Sequence, residues 1–313
     1  MYRFAVLFAT AGAMAAATAT AQLAPPPPPP VDKPPVVFPP PPPPPRPAQA
    51  APRARGVPAP PNFEFKKIAE FDAAGDLEPA RESPEYLALV RNPKIEPRQV
   101  PAIREVLEEH YQKVDDLVIE NVDLIMEVAG GAFDEADLTN PEVFNNVQGI
   151  MGVLMTARGL AERLQKEDAI DNEQMRATKA IELDWVQDFN KESMDKAIEE
   201  HGQENRKEVI VEMSRGTFHL LSMEATVAYR RMAVQIADNF DRVIEAAELA
   251  DAEGVADARE AIAAADGDDE RYQAVVDFML ELGFREQQAL LQANRDIAPP
   301  RTYPELDEIA RRG

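Results

Sequence analysis

The chain has 313 residues with 29 prolines, no cysteine, and 33 basic against 56 acidic side chains, a formal charge of −23. Without cysteine there is no disulfide scaffold, thiolate metal site, cysteine nucleophile or lipidated cysteine. The acidity argues against nucleic acid and anionic membrane as principal partners, because both need a positive face.

The first 21 residues read as an export signal. Arg3 supplies a short positive region, and Phe4 to Ala17 (FAVLFATAGAMAAA) is apolar. That run is too short to cross a hydrocarbon core, which needs about 20 residues. Ala19-Thr20-Ala21 is a small-x-small cleavage pattern, so cleavage is predicted after Ala21. The expected destination is periplasmic or secreted, with no transmembrane span in the mature chain. A lipoprotein is not expected, since no cysteine follows the apolar run.

Residues 22–62 form a separate material. Twenty of the 29 prolines lie between Pro25 and Pro61, in runs such as Pro25 to Pro30 and Pro39 to Pro45. Such runs lock φ and lack N–H donors, so an extended polyproline arm is predicted, with a reach on the order of 100 Å. The arm is weakly basic, at +3. It reads as a spacer or tether, or as a ligand for an aromatic-lined groove. Removing the arm and Arg3 leaves −27 on residues 63–313.

From residue 63 to 298 the pattern is helical, with a core expected from about residue 83 and a tail at 299–313. Ser83-Pro84 opens a short helix to about Arg91, where Asn92-Pro93 stops it. A long helix is predicted from Pro97 or Pro101 to Ala129. Its seam is Ile103, Leu107, His110, Val114, Leu117, Asn121, Leu124 and Val128, an alternating 4-3 spacing that matches a heptad. His110 and Asn121 are polar on that seam and read as register-setting residues. A second helix is predicted from Thr139 or Asn140, with Pro141 in its first turn, to Lys166. It carries Gly149, Gly152 and Gly159 off its seam, a candidate face for close packing. Asp171-x-x-Gln174 resembles a capping box for a third helix ending at His201-Gly202. The fourth stretch, Asn205 to Ala250, reads as one helix, with a kink expected at Ser214-Arg215-Gly216. A short helix near Val255 to Ala265, a turn at Asp266 to Asp269, a last long helix to Asn294 and a terminal turn through Leu306 and Ile309 complete the pattern. The expected fold is all-α: an elongated antiparallel helical bundle with coiled-coil-like heptad packing.

No catalytic motif emerges. The Glu-x-x-His pairs of di-metal bundles are missing at all three histidines, and His201-x-x-Glu204 is a single reversed match across Gly202. Asp266, Asp268 and Glu270 lack the glycine and the final glutamate of a calcium loop. No catalytic, cofactor-binding or metal residue is assigned, and no cofactor is expected. Ile95-x-Pro97-x-Gln99, ahead of a long charged helix, resembles the Leu-Thr-x-x-Gln motif of the periplasmic Spy/CpxP-like chaperones. The resemblance spans some five residues and lacks the threonine. It implies holdase activity as an alternative function. The leading expectation is an exported, non-enzymatic scaffold or binding protein that works through protein–protein contacts, with the arm as spacer or tether. Its protein partner is unknown, and the heptad seams also suit self-association. A carboxylate-based metal-binding or enzymatic bundle is the third reading.

Overall fold

The computed structural model describes residues 82–130 and 149–312. The predicted cleavage site after Ala21, the proline arm and the helix start at Thr139 to Pro141 lie outside them. The helices are α1 (Pro84–Val90), α2 (Val100–Glu120), α3 (Val122–Ala129), α4 (Leu160–Lys166), α5 (Asn172–His201), α6 (Arg206–Asp238), α7 (Phe240–Ala246), α8 (Val255–Ala264), α9 (Asp268–Glu281), α10 (Phe284–Ile297) and α11 (Pro304–Arg311). A 3₁₀ turn spans Pro97–Gln99, and residues 149–155 are also helical. No strand occurs among the described residues. The fold is all-α.

Local chemistry starts these helices. The Ser83 hydroxyl accepts from the Tyr86 N–H at 3.1 Å, and Pro84 needs no donor in the first turn. Asp171 and Gln174 close a reciprocal capping box at α5, each side chain accepting from the other's backbone N–H at 2.8 and 2.9 Å.

Two cores divide α2 between them. Its first half places Ile103, Leu107 and Tyr111 in a core with α1, α4 and α11, which contribute Tyr86, Leu89, Leu160, Leu164 and Leu306, and with Tyr303, the residue before α11. Its second half and α3 place Val114, Val118, Val122 and Ile125 in the larger core, with α6, α7, α9 and α10. The buried stripe follows the heptad seam to Val114 and meets it again at Val128. Between those two it moves to Val118, Val122 and Ile125, while Leu117 and Leu124 are half-buried. The partner helices change at that point, so no single supercoiled neighbour holds the 3.5-residue repeat.

Several predicted helices are broken, and two of the breaks share a cause. α2 stops at Asn121 (φ −126°, ψ 35°), and α6 stops at Asn239 (φ −126°, ψ 24°). In both, the asparagine amide donates to the carbonyl four residues back, Leu117 at 2.9 Å and Gln235 at 3.1 Å. This local bond competes with the helical ladder. The two bends let α3 and α7 both pack on α10. The kink predicted at Gly216 is therefore displaced to Asn239. Gly216 instead lies inside α6, where a Cβ would meet Ser193 Oγ at 3.3 Å and Phe189 at 3.5 Å. Its missing side chain admits α5.

The second predicted helix is interrupted before α4 by a turn at residues 156–159, where Gly159 has φ +100°. The last long helix is split at Leu282-Gly283, where the Glu286 carboxylate accepts from the Gly283 N–H at 2.8 Å and starts α10. The terminal segment is a full helix, α11, whose Leu306 and Ile309 are buried in the first core together with Tyr303.

Candidate functional site

The most unusual chemistry in the fold lies where α1, α4, α5 and α6 meet. Glu85 follows the cap of α1 and is 6% exposed, because α1 is buried on all sides. Its carboxylate accepts from the backbone N–H groups of Gly159, at 2.9 and 3.0 Å, and Leu160, at 2.7 Å. It thereby caps α4 from another helix and answers the positive end of that helix. The Glu85 backbone N–H donates to Glu224 Oε1 of α6 at 3.1 Å. Arg158, in the turn before α4, pairs with Glu182 of α5, stands 3.7 Å from Glu85, and donates to the Leu220 carbonyl at 3.2 Å. Three carboxylates thus surround one guanidinium, all withdrawn from solvent.

Their electrostatics follow from this count. Burial, and then the neighbouring Glu85 carboxylate, push the Glu224 carboxyl up to about 8, although Ser83, the Glu85 N–H and Arg158 oppose this. Burial and Glu85 also raise Glu182 above the ordinary carboxylate range, against Arg158 and Lys179. Burial disfavours the Arg158 cation, but the three carboxylates outweigh it and hold the guanidinium charged. Glu224 Oε2 is buried with no hydrogen-bond partner.

A second polar group lies next to the first, around Arg301. The guanidinium sits 3.6 Å over the Tyr111 ring and pairs with Glu82, while Tyr86 Oη donates to Glu305 of α11 at 2.8 Å. A third network ties the turn after α1 to the start of α5. Asn92 donates to the Gln174 carbonyl and to Thr178, and the Gln99 and Gln174 amides bond to each other at 2.8 and 2.9 Å. Ile95 and Gln99, which carry the chaperone resemblance, are therefore engaged inside the fold: Ile95 is buried, and Gln99 also donates to the Ala169 carbonyl.

The predicted site residues separate in space. His110 is buried on α2, edge-on to Tyr111 at 5.3 Å between ring centroids, with no partner on Nε2. Burial, then the charges of Arg163, Arg301 and Lys113, lower its pKa to about 4. Such a group stabilises the fold above its unfolded value near 6.5, and that stability is lost as pH falls toward 4. Urea unfolding at pH 7 and pH 4.5 should therefore show a loss that His110→Gln reduces by about 1–3 kcal/mol. Asn121 does not meet His110; it ends α2. At Gly149 and Gly152 a Cβ would meet no described atom within 4 Å, and Gly159 begins α4 in a left-handed conformation. No close-packed glycine face forms among the described residues.

Sequence reasoning missed the charged cluster, whose members lie up to 139 positions apart. The available signal was the isolation of Glu85 and Glu224 within apolar stretches (PEYLALV and SMEATVAY). Among the described residues no three histidine, aspartate or glutamate side chains gather as a metal ion requires. Asp266 and Glu270 close a turn instead, the Asp266 N–H donating to Glu270 at 2.7 Å.

An uncovered apolar surface lies on the outer half of the α5–α6 hairpin; Leu280 and Phe284, at the α9–α10 turn, are the other exposed large hydrophobic residues among those described. Between Asn190 and Thr217 only Ala197 is buried. Met194, Ile198, Val209 and Met213 are part-exposed, and Ile210 is 38% exposed. The inner half is rooted by Trp185, Phe189, Leu220 and Met223. No protein-family model, curated protein or solved structure matches this chain.

Proposed function

We propose that the chain is an exported, non-enzymatic binding protein that works through protein–protein contacts, with the outer α5–α6 hairpin as its contact surface and the proline arm as spacer or tether. The uncovered apolar residues of that hairpin carry this reading. Helices of 30 and 33 residues reach about 45–50 Å, yet core packing ends about halfway along. Exposed apolar residues at helical spacing suit an α-helical or unfolded partner. Charge adds to the argument: residues 190–217 carry five basic and seven acidic side chains, near balance on a strongly acidic body.

A photo-crosslinking residue at Ile210 should trap a reproducible protein partner in the cell envelope. The same residue at exposed Glu260 on α8 should not. Ile210→Asp should reduce capture at least tenfold with the melting temperature changed by less than about 2 °C, as expected of an exposed position. Equal capture at Ile210 and Glu260, or undiminished capture after Ile210→Asp, overturns the reading. The holdase alternative draws on the same surface and separates by activity: it requires suppression of client aggregation without nucleotide. Deleting residues 22–62 tests the tether, which predicts changed location or partner capture.

A further inference from the structure

The buried charge cluster ties together the root of the hairpin, and its composition is unbalanced. Glu85 rests on two backbone N–H groups and the start of α4, and Glu182 pairs with Arg158. Glu224 accepts from the Glu85 N–H on Oε1 and is acted on by the Ser83 hydroxyl, while its Oε2 has no hydrogen-bond partner and its charge has no cation of its own among the described residues. We propose that Glu85, Arg158, Glu182 and Glu224 form a proton-dependent latch at the root of the α5–α6 hairpin, closed while Glu224 carries a proton and loosened when that proton leaves.

The groups facing Glu224 decide the direction. Ser83 and Glu85 face it from α1 and its cap, Arg158 from the turn before α4, and Tyr111 from α2. Glu182 of α5 shares Arg158 and is acted on by Glu85 and Lys179. A single guanidinium cannot neutralise three buried carboxylates, and a buried carboxylate with an unsatisfied oxygen is costly. A proton on Glu224 removes one charge from the count. When that proton leaves, repulsion between Glu224 and Glu85 acts across the α1–α6 contact. Glu85 also caps α4, and Arg158 also holds α5, so the strain reaches all four helices.

The sign of the pH effect follows. The Glu224 carboxyl is raised in the folded chain, so the folded state keeps a proton that the unfolded state releases. Its contribution to stability is full below the ordinary carboxylate range and is lost as pH rises through about 8. This device is independent of what the hairpin binds.

The chain supplies its own reporter. Trp185 is its sole tryptophan, stands one turn after Glu182 on α5, and packs against Phe189 at 5.9 Å between centroids. In the full chain, Trp185 emission should show a one-proton step with a midpoint near pH 8. Glu224→Gln, which keeps the shape and removes the titration, should abolish the step while emission stays at its low-pH value. Calorimetric unfolding at pH 7 in buffers of different ionisation enthalpy should show close to one proton released. A Trp185 signal flat from pH 6.5 to 9.3 overturns the latch, as does an unchanged step in Glu224→Gln. Should that variant not fold, the wild-type proton count decides, and no proton release overturns the proposal.

Discussion

Replacing Arg158 by methionine should destabilise the protein by about 3–5 kcal/mol, a fall of roughly 6–20 °C in melting temperature for a domain of this size. The guanidinium pairs with Glu182, stands 3.7 Å from Glu85, and donates to the Leu220 carbonyl. Without it Glu85 and Glu182 lose the buried guanidinium beside their carboxylates, and Glu224 loses a nearby positive charge. Arg158→Lys should recover only part of the loss, since an ammonium cannot span the same three acceptors in one plane. Arg158→Met combined with Glu182→Gln should be more stable than Arg158→Met alone, because it removes one of the stranded carboxylates. Thermal unfolding at pH 7 measures all three. A change under 1 kcal/mol in Arg158→Met would show that the cluster contributes nothing to the fold.

Tyr303→Ala should cost about 3–5 kcal/mol, the range for truncating a buried aromatic side chain. Tyr303 is 1% exposed and lies between Tyr86 of α1 and Tyr111 of α2, at 5.8 and 6.4 Å between ring centroids. The terminal segment therefore belongs to the first core. Ending the chain after Pro299 would also remove Leu306, Ile309 and Arg301, and should leave α1 without its cover. Arg312→Ala, at an exposed position, is the control and should stay within about 0.5 kcal/mol. Denaturant titration of the two point variants checks the contrast; equal midpoints would refute the role of the terminal segment.

Much of the helical layout was legible because its signals are local. Ser83-Pro84 marks α1, and Asp171, Gln174 and Gly202 bound α5, since capping bonds form between residues within one turn. The breaks were less legible. Asn121 and Asn239 sit in strong apolar patterns, and an asparagine within a helix ends it only where packing rewards a change of direction. Here α10 supplies that reward for both α3 and α7. Gly216 misled in the opposite sense. A glycine in a helix signals either weakness or a close neighbour, and only the position of Ser193 and Phe189 shows which. The split at Gly283 could have been read, because Gly283 followed by Glu286 resembles the start of a capped helix.

The candidate site was less legible. On a body with a charge of −27, one glutamate looks like another, and the distinction between Glu85, Glu182 and Glu224 and the rest is burial alone. The segregation of proline from helix former, the all-α class and the start of each well-capped helix are properties of short stretches of chain, so the sequence by itself determined them. Which carboxylates are withdrawn from water, which one must hold a proton, and that the final residues complete the first core depend on contacts between positions far apart. Only the tertiary structure decided these, because desolvation and charge pairing are set by distance in space and not by distance along the chain.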